Sequence, residues 1–297
     1  MTESTLTERR TAREATRVEG RNARSWQLVN ALHADAYDAA HLGRADQIIL
    51  DLEDAVDGSL KEQARKHVVE WLEGGGQAWV RINDVTTPDW EADLLALAGV
   101  AGSNGTGASR LSGVMLAKAE AAEQVTDTAQ RLGGHTPVIP LVESALGIED
   151  AVSIARARGA FRLAFGSGDY RKDTGAEAVA LAMAYPRTRL VLASRIGGLP
   201  GPIDGPTPYS PHAVLREQSA DAVAMGMTGK LCLDLDQPAV INECMSPSPS
   251  DVAWAYDFLA AFEAGGRVIR DGSDKPRLAR AEKIRVRAEL FRIQPAT

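Results

Sequence analysis

The sequence predicts an α/β protein: a closed (β/α)8 TIM barrel followed by a C-terminal helical extension. Three observations predict it. Short runs of β-favouring apolar residues recur about eight times along the 297 residues, separated by stretches rich in Ala, Glu and Leu. The runs are continuous rather than alternating, which suits parallel strands covered on both faces. The first run leads into NALHADAYDAA, without the glycine-rich phosphate turn that usually opens a doubly wound sheet, the runner-up architecture.

The elements follow in order. Residues 1–22, MTESTLTERRTAREATRVEGRN, lack the apolar stretch of a secretory signal and read as a polar, partly disordered arm. The barrel is expected over 23–245. Its strands are WQLVNA (26–31), QIILDLE (47–53), AWVRIN (78–83), GVMLAK (113–118), PVIPLVE (137–143), RLAFGSGD (162–169), RLVLASR (189–195) and KLCLDL (230–235). Helical segments lie between them, among them LKEQARKHVVEWLEG, PDWEADLLALAGV, SALGIEDAVSIARARG and AEAVALAMAYPRT. AGSNGTGASRLS, residues 101–112, reads as a flexible surface loop. Beyond 245 the pattern changes. SPSPSDVAWAYDFLAAFEAGG starts in turn residues and becomes a helix capped by Ser250 and Asp251, and the tail ends as a second helix, so 246–297 form the extension.

Composition narrows the function classes. An apolar content of 44% supports an ordinary globular core. The net charge of -7 is spread along the chain, which argues against a nucleic-acid partner. No apolar run approaches the roughly 20 residues of a membrane helix. Cys232 and Cys244 match no zinc spacing and read as reduced thiols of a cytoplasmic protein.

In such a barrel, functional groups collect at the C-terminal ends of the strands. Several of these runs end in ionisable residues: Asp51, Glu53 and Asp54; Arg81, Asn83 and Asp84; Lys118; Glu143; Asp169; and Arg195. Structural explanations exist for some of them. Arg81 and Asp84 would make an ion pair, Asp54 would cap a helix, and Lys118 would pair with Glu53 or Glu120. Glu143 and Asp169 are harder to explain away, because they follow neighbouring strands, and two adjacent acids repel unless a proton or cation lies between them. Two carboxylates completed by water is a usual Mg²⁺ site, and no His or Cys nearby favours zinc or copper. Asp51 and Glu53 share one side of their strand, and Glu53 is expected nearest the site. Of the histidines, His67 reads as a surface residue, while His33 and His41 flank the first βα segment.

The segments RSWQLV (24–29), ILDLEDAV (49–56), VRIND (80–84), MLAKAE (115–120), PLVESALGI (140–148), FGSGDYRKDTG (165–175) and DKPRLARAEKI (274–284) together resemble the citrate lyase β-subunit family of the HpcH/HpaI aldolase superfamily. The resemblance implies a barrel assembled as a trimer or hexamer. It implies an enzyme that cleaves or forms the carbon–carbon bond between an acetyl-type thioester, such as a CoA thioester, and a 2-oxo acid. By resemblance Mg²⁺ would be held by Glu143 and Asp169, and the substrate by Arg81, Arg24 and Lys118. Glu53 would orient water or metal, Asp274 would serve as a catalytic base reaching a neighbouring subunit, and either Asp274 or Glu53 would be the catalytic proton acceptor or donor. The chain departs from the family pattern at Asn30–Ala31, in place of Pro-Gly, at Ala117, in place of Pro, and at Leu233–Asp234–Leu235, in place of Ile-His-Pro. The carboxylate and metal half is kept, while the thioester half is altered. Three activities therefore stay open: the thioester lyase, an aldolase on free pyruvate- or oxaloacetate-derived hydroxy acids, and a malyl-CoA-type thioester hydrolase. A binding protein on a disused barrel is the non-enzymatic alternative.

Overall fold

The structure is a computed structural model and describes residues 5–101, 110–208 and 210–296. The chain divides into two compact units, Met1–Asn242 and Glu243–Thr297. The expected loop at 101–112 falls mostly outside the described residues.

Among the described residues, eight parallel strands close into one barrel in sequence order. They are β1 (Ser25–Asn30), β2 (Gln47–Asp51), β3 (Ala78–Ile82), β4 (Leu111–Leu116), β5 (Val138–Val142), β6 (Ala164–Phe165), β7 (Ile203–Asp204) and β8 (Gly229–Cys232). Pairing of Trp26 with Leu231 and with Gln47 ties β1 to both β8 and β2 and closes the ring. Alternate residues face inward and fill the lumen with Trp26, Ile49, Trp79, Met115, Ile139, Leu141, Ala164, Ile203 and Leu231. Trp26 and Trp79 meet edge to face at 5.4 Å. At the N-terminal end Arg162 closes the lumen, its guanidinium donating to the carbonyls of Gly20, Ala23 and Gly201.

The helices of this unit are α1 (Leu6–Glu14), α2 (Tyr37–His41), α3 (Lys61–Glu73), α4 (Pro88–Ala101), α5 (Ala122–Arg131), α6 (Ala145–Glu149), α7 (Ala151–Arg156), α8 (Ser167–Thr174), α9 (Ala180–Gly197), α10 (His212–Ala224) and α11 (Gln237–Cys244), which runs across the unit boundary. Helix α3 shows why the sequence folds this way. Ala64, Val68 and Leu72 recur every four residues and form its buried stripe, while Lys66 and Glu70 between them face water.

Three sequence expectations about this unit are corrected. Residues 189–195 are not the seventh strand; they are the second half of α9. Its buried positions include Met183, Arg187, Leu190 and Ser194, a three-to-four-residue repeat that marks a helix, and Pro186, also buried, lies inside it rather than ending it. The true β7 is two residues long within GPIDGP, too short to give a pattern. The sixth run also ends early, at Phe165, so Asp169 lies in the first turn of α8 and not on a strand. The third correction concerns the arm. Thr5 and Glu8 form a capping box that starts α1. Arg10 then binds Asp38 at 2.6 Å, Arg13 donates to the carbonyl of Ala45, and Arg17 to that of His41. Arginines repeating along one side fasten the arm to the barrel.

In the second unit, α12 (Pro249–Ala264) begins at Ser248, whose hydroxyl accepts from the N–H of Asp251; the cap is Ser248, not Ser250 or Asp251, because Pro249 is well suited to the first helical position. Helix α13 (Asp274–Phe291) packs beside it. Trp254, Phe258 and Phe262 form a ladder along α12, and Arg280 and Arg277 of α13 lie over the first two rings at 4.8 and 4.9 Å.

Candidate active site

The C-terminal ends of β2, β3, β4 and β5 carry a buried charged cluster. Asp51 is the last residue of β2 and pairs in register with Arg81 of β3. That register puts the two side chains next to each other on the inner face. Asp51 accepts two bonds from Arg81, Nε to Oδ1 and Nη2 to Oδ2, both 2.7 Å. This bidentate pairing fixes the plane of the guanidinium. Glu53 lies two residues on, also inside, and its Oε2 is 3.2 Å from Nη1 of Arg81. Burial works against the charged form of Arg81, but Asp51 and Glu53 outweigh it, and its pKa is raised.

Lys118 joins β4 to this cluster. Its Nζ donates to Glu53 Oε1 at 2.8 Å, and its backbone N–H donates to Glu143 Oε1 at 2.8 Å. It does so from φ 48°, a left-handed conformation that costs a non-glycine residue about 1 kcal/mol. One strained residue thereby aims a main-chain donor at one carboxylate and an ammonium at another. The expected Lys118–Glu53 pair is present. The Arg81–Asp84 pair is not: Asp84 accepts from Thr86 instead. Asp54 is largely exposed and caps no helix; the cap after β2 is Asp57, on Ser59.

Glu143, just past β5, is buried. Burial pushes its carboxyl up to about 8, with Glu53 and Asp169 adding to the effect and the Lys118 N–H and Arg81 opposing it. Its space is made by Gly166. A Cβ there would stand 2.1 Å from Glu143 Oε2. Asp169, in the first turn of α8, is partly exposed and close enough to act on Glu143 through its charge. Among the described residues no group of three or more His, Cys, Asp or Glu is arranged to hold an ion. A cation held by Glu143 and Asp169 would complete its shell with water or substrate oxygens. Two adjacent hard-oxygen donors, one of them buried and pushed towards its neutral form, suit Mg²⁺ in that manner.

The structure thus brings together Glu53, Arg81, Lys118, Glu143 and Asp169. Two expected residues are elsewhere. Arg24 precedes β1 at the opposite end of the barrel, where Asp46 accepts from its Nε and Nη2 at 2.8 and 2.9 Å. A six-residue strand separates it from the cluster by roughly 20 Å. It faces away because the chain enters the barrel there, and Asp46, just before β2, meets it on the same floor. Asp274 belongs to the second unit, where its carboxylate accepts three bonds from Arg270, which hold it at about 2. Arg195 lies on α9, and His41 is buried against Arg17 and the carbonyl of Gln77, also at the floor, with its pKa lowered to about 4 by burial and by Arg17. A cavity of about 1070 Å³ opens at that floor, lined by Gln47, Gln77, Leu111 and Pro137 from the strand starts, and shares no residue with the cluster.

Sequence reasoning missed two contributors. Asp51 shares the strand face of Glu53, which was the available signal, but its service to Arg81 depends on register. Gly166 stands in FGSGD, and nothing in the sequence says which side chain needs its space.

Comparisons with known proteins agree with the fold. Human mitochondrial citramalyl-CoA lyase is 31% identical over 244 residues, covering 73% of this chain and 69% of that protein. L-malyl-CoA/beta-methylmalyl-CoA lyase of Cereibacter sphaeroides (strain ATCC 17025 / ATH 2.4.3) is 29% identical over 288 residues, covering 83% and 88%. The crystal structure of the protein CitE from Mycobacterium tuberculosis, in complex with magnesium, acetoacetate and coenzyme A, superposes with a TM-score of 0.74 at 29% identity, covering 91% of this chain and 99% of that one. The model of the HpcH/HpaI aldolase C-terminal domain matches residues 250–292, and that of HpcH/HpaI aldolase/citrate lyase matches residues 24–234. The chain belongs to the HpcH/HpaI aldolase/citrate lyase family.

Proposed function

We propose that this protein is a Mg²⁺-dependent carbon–carbon lyase that cleaves a 3-hydroxyacyl-CoA-type thioester of the citramalyl or malyl kind into an acetyl-type thioester and a 2-oxo acid, or runs the reverse. The observation that carries the reading is the Arg81 guanidinium, locked by Asp51 next to the Glu143–Asp169 pair. Asp51 occupies the Nε–Nη2 edge of the fork, so the Nη1 edge, beside Glu53, is the one offered to a substrate carboxylate. Glu143 and Asp169 would hold Mg²⁺, which when bound polarises the substrate oxygen at the carbon that becomes the oxo group. In the cleavage direction the substrate hydroxyl loses its proton, the adjacent carbon–carbon bond breaks, and its electron pair passes to the thioester enolate, which is then protonated at carbon. Glu53 has Arg81, Lys118 and the Asp54 N–H on its two oxygens, so it orients those cations and does not itself move the proton. Asp274 would act as proton carrier only when released from Arg270.

The deciding assay gives the purified chain citramalyl-CoA and malyl-CoA with and without Mg²⁺ and identifies the products. Acetyl-CoA plus an oxo acid supports the lyase. Free CoA plus the intact hydroxy acid would show a hydrolase instead. Glu143→Ala should lose Mg²⁺ binding and turnover while the barrel stays folded.

One observation favours a second reading, an aldolase on free hydroxy acids. The loops after β1 and β8 are neighbours, and residues 31–43 contain no Lys or Arg while 233–236 read Leu-Asp-Leu-Asp and are exposed. That rim offers no cation to nucleotide phosphates. Retro-aldol turnover of a free 4-hydroxy-2-oxo acid would favour this reading. An exposed row along α9, Leu181, Tyr185, Leu192 and Ile196, supports the expected self-association, which sedimentation would test.

A further inference from the structure

Lys61 is an unusual residue for its position. It is the first residue of α3, where the helix dipole disfavours a cation. It is nevertheless buried. Among the described residues no carboxylate lies within ion-pair distance of its ammonium. Its three N–H groups go instead to the carbonyl of Leu52 at 2.9 Å, the carbonyl of Glu53 at 3.2 Å, and the side-chain oxygen of Asn83. Two of the three acceptors are main-chain carbonyls on either side of the Glu53 peptide.

Lys61 reinforces this peptide where the sheet no longer holds it. The strand ends at Asp51, and residues 52–57 leave the sheet without regular structure. The Glu53 carbonyl also accepts from the Val56 N–H at 3.1 Å, within the same turn, so Lys61 is what ties that carbonyl to a helix outside the turn. Asn83 completes the arrangement. Its side-chain amide donates to the Leu52 carbonyl at 3.1 Å and to Asp93 at 2.7 Å, and its backbone N–H also donates to Asp93, at 2.9 Å. Asp93 is fully buried on α4 and is braced by Arg65 of α3 at 3.1 Å. A chain of bonds therefore runs Asp93–Asn83–Lys61–Glu53 behind the site.

We propose that Lys61 is a positioning residue for the reaction: it tethers the Glu53 peptide so that the Glu53 carboxylate reaches Arg81 and Lys118 together. This rests on the reading of Glu53 given above. An ordinary structural lysine would act on stability alone, whereas this one acts through Glu53, and a double-mutant cycle separates the two. Lys61→Met keeps the stem and removes the donors. In the full-length protein with Mg²⁺, it should lower kcat about 10- to 100-fold, the usual loss when an outer partner of a site residue is removed, while KM changes less than about threefold. In the Glu53→Gln background the same substitution should change kcat less than about threefold, because the residue it serves has been disabled. Hydrogen exchange gives a readout independent of turnover: amides 52–56 should exchange at least about tenfold faster in Lys61→Met, with β3, β4 and β5 unchanged. If Lys61→Met does not fold, Lys61→Arg keeps charge and stem, and its smaller loss should likewise vanish in Glu53→Gln. Full activity in Glu53→Gln overturns the reading of Glu53 and the inference with it. An inactive Glu53→Gln beside a fully active Lys61→Met, or strictly additive losses in the double variant, overturns the inference alone.

Discussion

Replacing Gly166 by Ala tests the metal assignment with a single methyl group. Gly166 has φ -89° and ψ 77°, on the negative-φ side, so alanine meets no left-handed penalty there. The cost is local. The new Cβ would lie 2.1 Å from Glu143 Oε2, 2.5 Å from its Cβ and 2.9 Å from its Cδ. An ordinary contact needs about 3.4 Å, so the Glu143 carboxylate must retreat by roughly 1.3 Å. Metal ligands tolerate displacements of about 0.2 Å. One of two protein ligands is therefore lost, and Mg²⁺ affinity should fall at least about 30-fold, roughly 2 kcal/mol. Overpacking costs about 1–3 kcal/mol, partly offset by the stiffer unfolded chain, so the barrel should remain folded with Tm lower by only a few degrees. The assay is calorimetric titration with Mg²⁺, with thermal melts as the control for folding. Gly168→Ala is the companion variant, since a Cβ there meets nothing within 4 Å. Its Mg²⁺ affinity should match the parent's. Unchanged affinity in Gly166→Ala would refute Glu143 as a ligand.

Three further outcomes follow from the same geometry. Asp51→Asn should free the Arg81 guanidinium to rotate and lower kcat/KM about 10- to 100-fold in the lyase assay, with a raised KM; an unchanged KM would separate Arg81 from substrate binding. Because the Glu143 carboxyl is raised to about 8, the metal-free fold keeps a proton there that the unfolded chain gives up near 4.5. That contribution to stability is complete below about 4.5 and is lost as pH rises through about 8, so Mg²⁺ should raise Tm more at pH 8.5 than at pH 6; equal shifts at both would contradict the assignment. On the outer face of the barrel, Asp204 binds Lys230 Nζ at 2.8 Å and Arg187 Nε at 2.8 Å, all three buried, and the two cations hold its carboxyl below the usual range despite burial. Asp204→Ala would leave both without a charge partner and should cost about 3–5 kcal/mol, lowering Tm by about 10 °C or more in scanning calorimetry, whereas a smaller loss would mean that water reaches the pair.

Much of the site was legible in the sequence, and the limits are physical. Glu53, Arg81, Lys118 and Glu143 stand at or just past the ends of long, apolar strands, so chain order alone brings them to one rim. Asp169 was found for a partly wrong reason: the run that carries it stops at Phe165, and α8 delivers the carboxylate. Arg24 failed because a motif gives no depth. It stands one residue before β1, at the barrel floor, although it is quoted in the same segment as the strand that leads to the rim. The seventh strand failed because two residues carry no period, while the helical repeat Met183, Arg187, Leu190, Ser194 was present and was overridden by an apolar run.

The sequence by itself determined the barrel, the helical extension and the family, since each rests on the order and spacing of apolar runs and short motifs, which are local properties. The tertiary structure decided which acid serves which cation. Asp51 holds Arg81 through inter-strand register, Gly166 makes way for Glu143 across two strands, and Lys61 reaches the Glu53 peptide from the start of a helix. Those pairings join residues 8 to 30 positions apart along the chain, and their energies depend on distances and burial that only closure of the barrel sets.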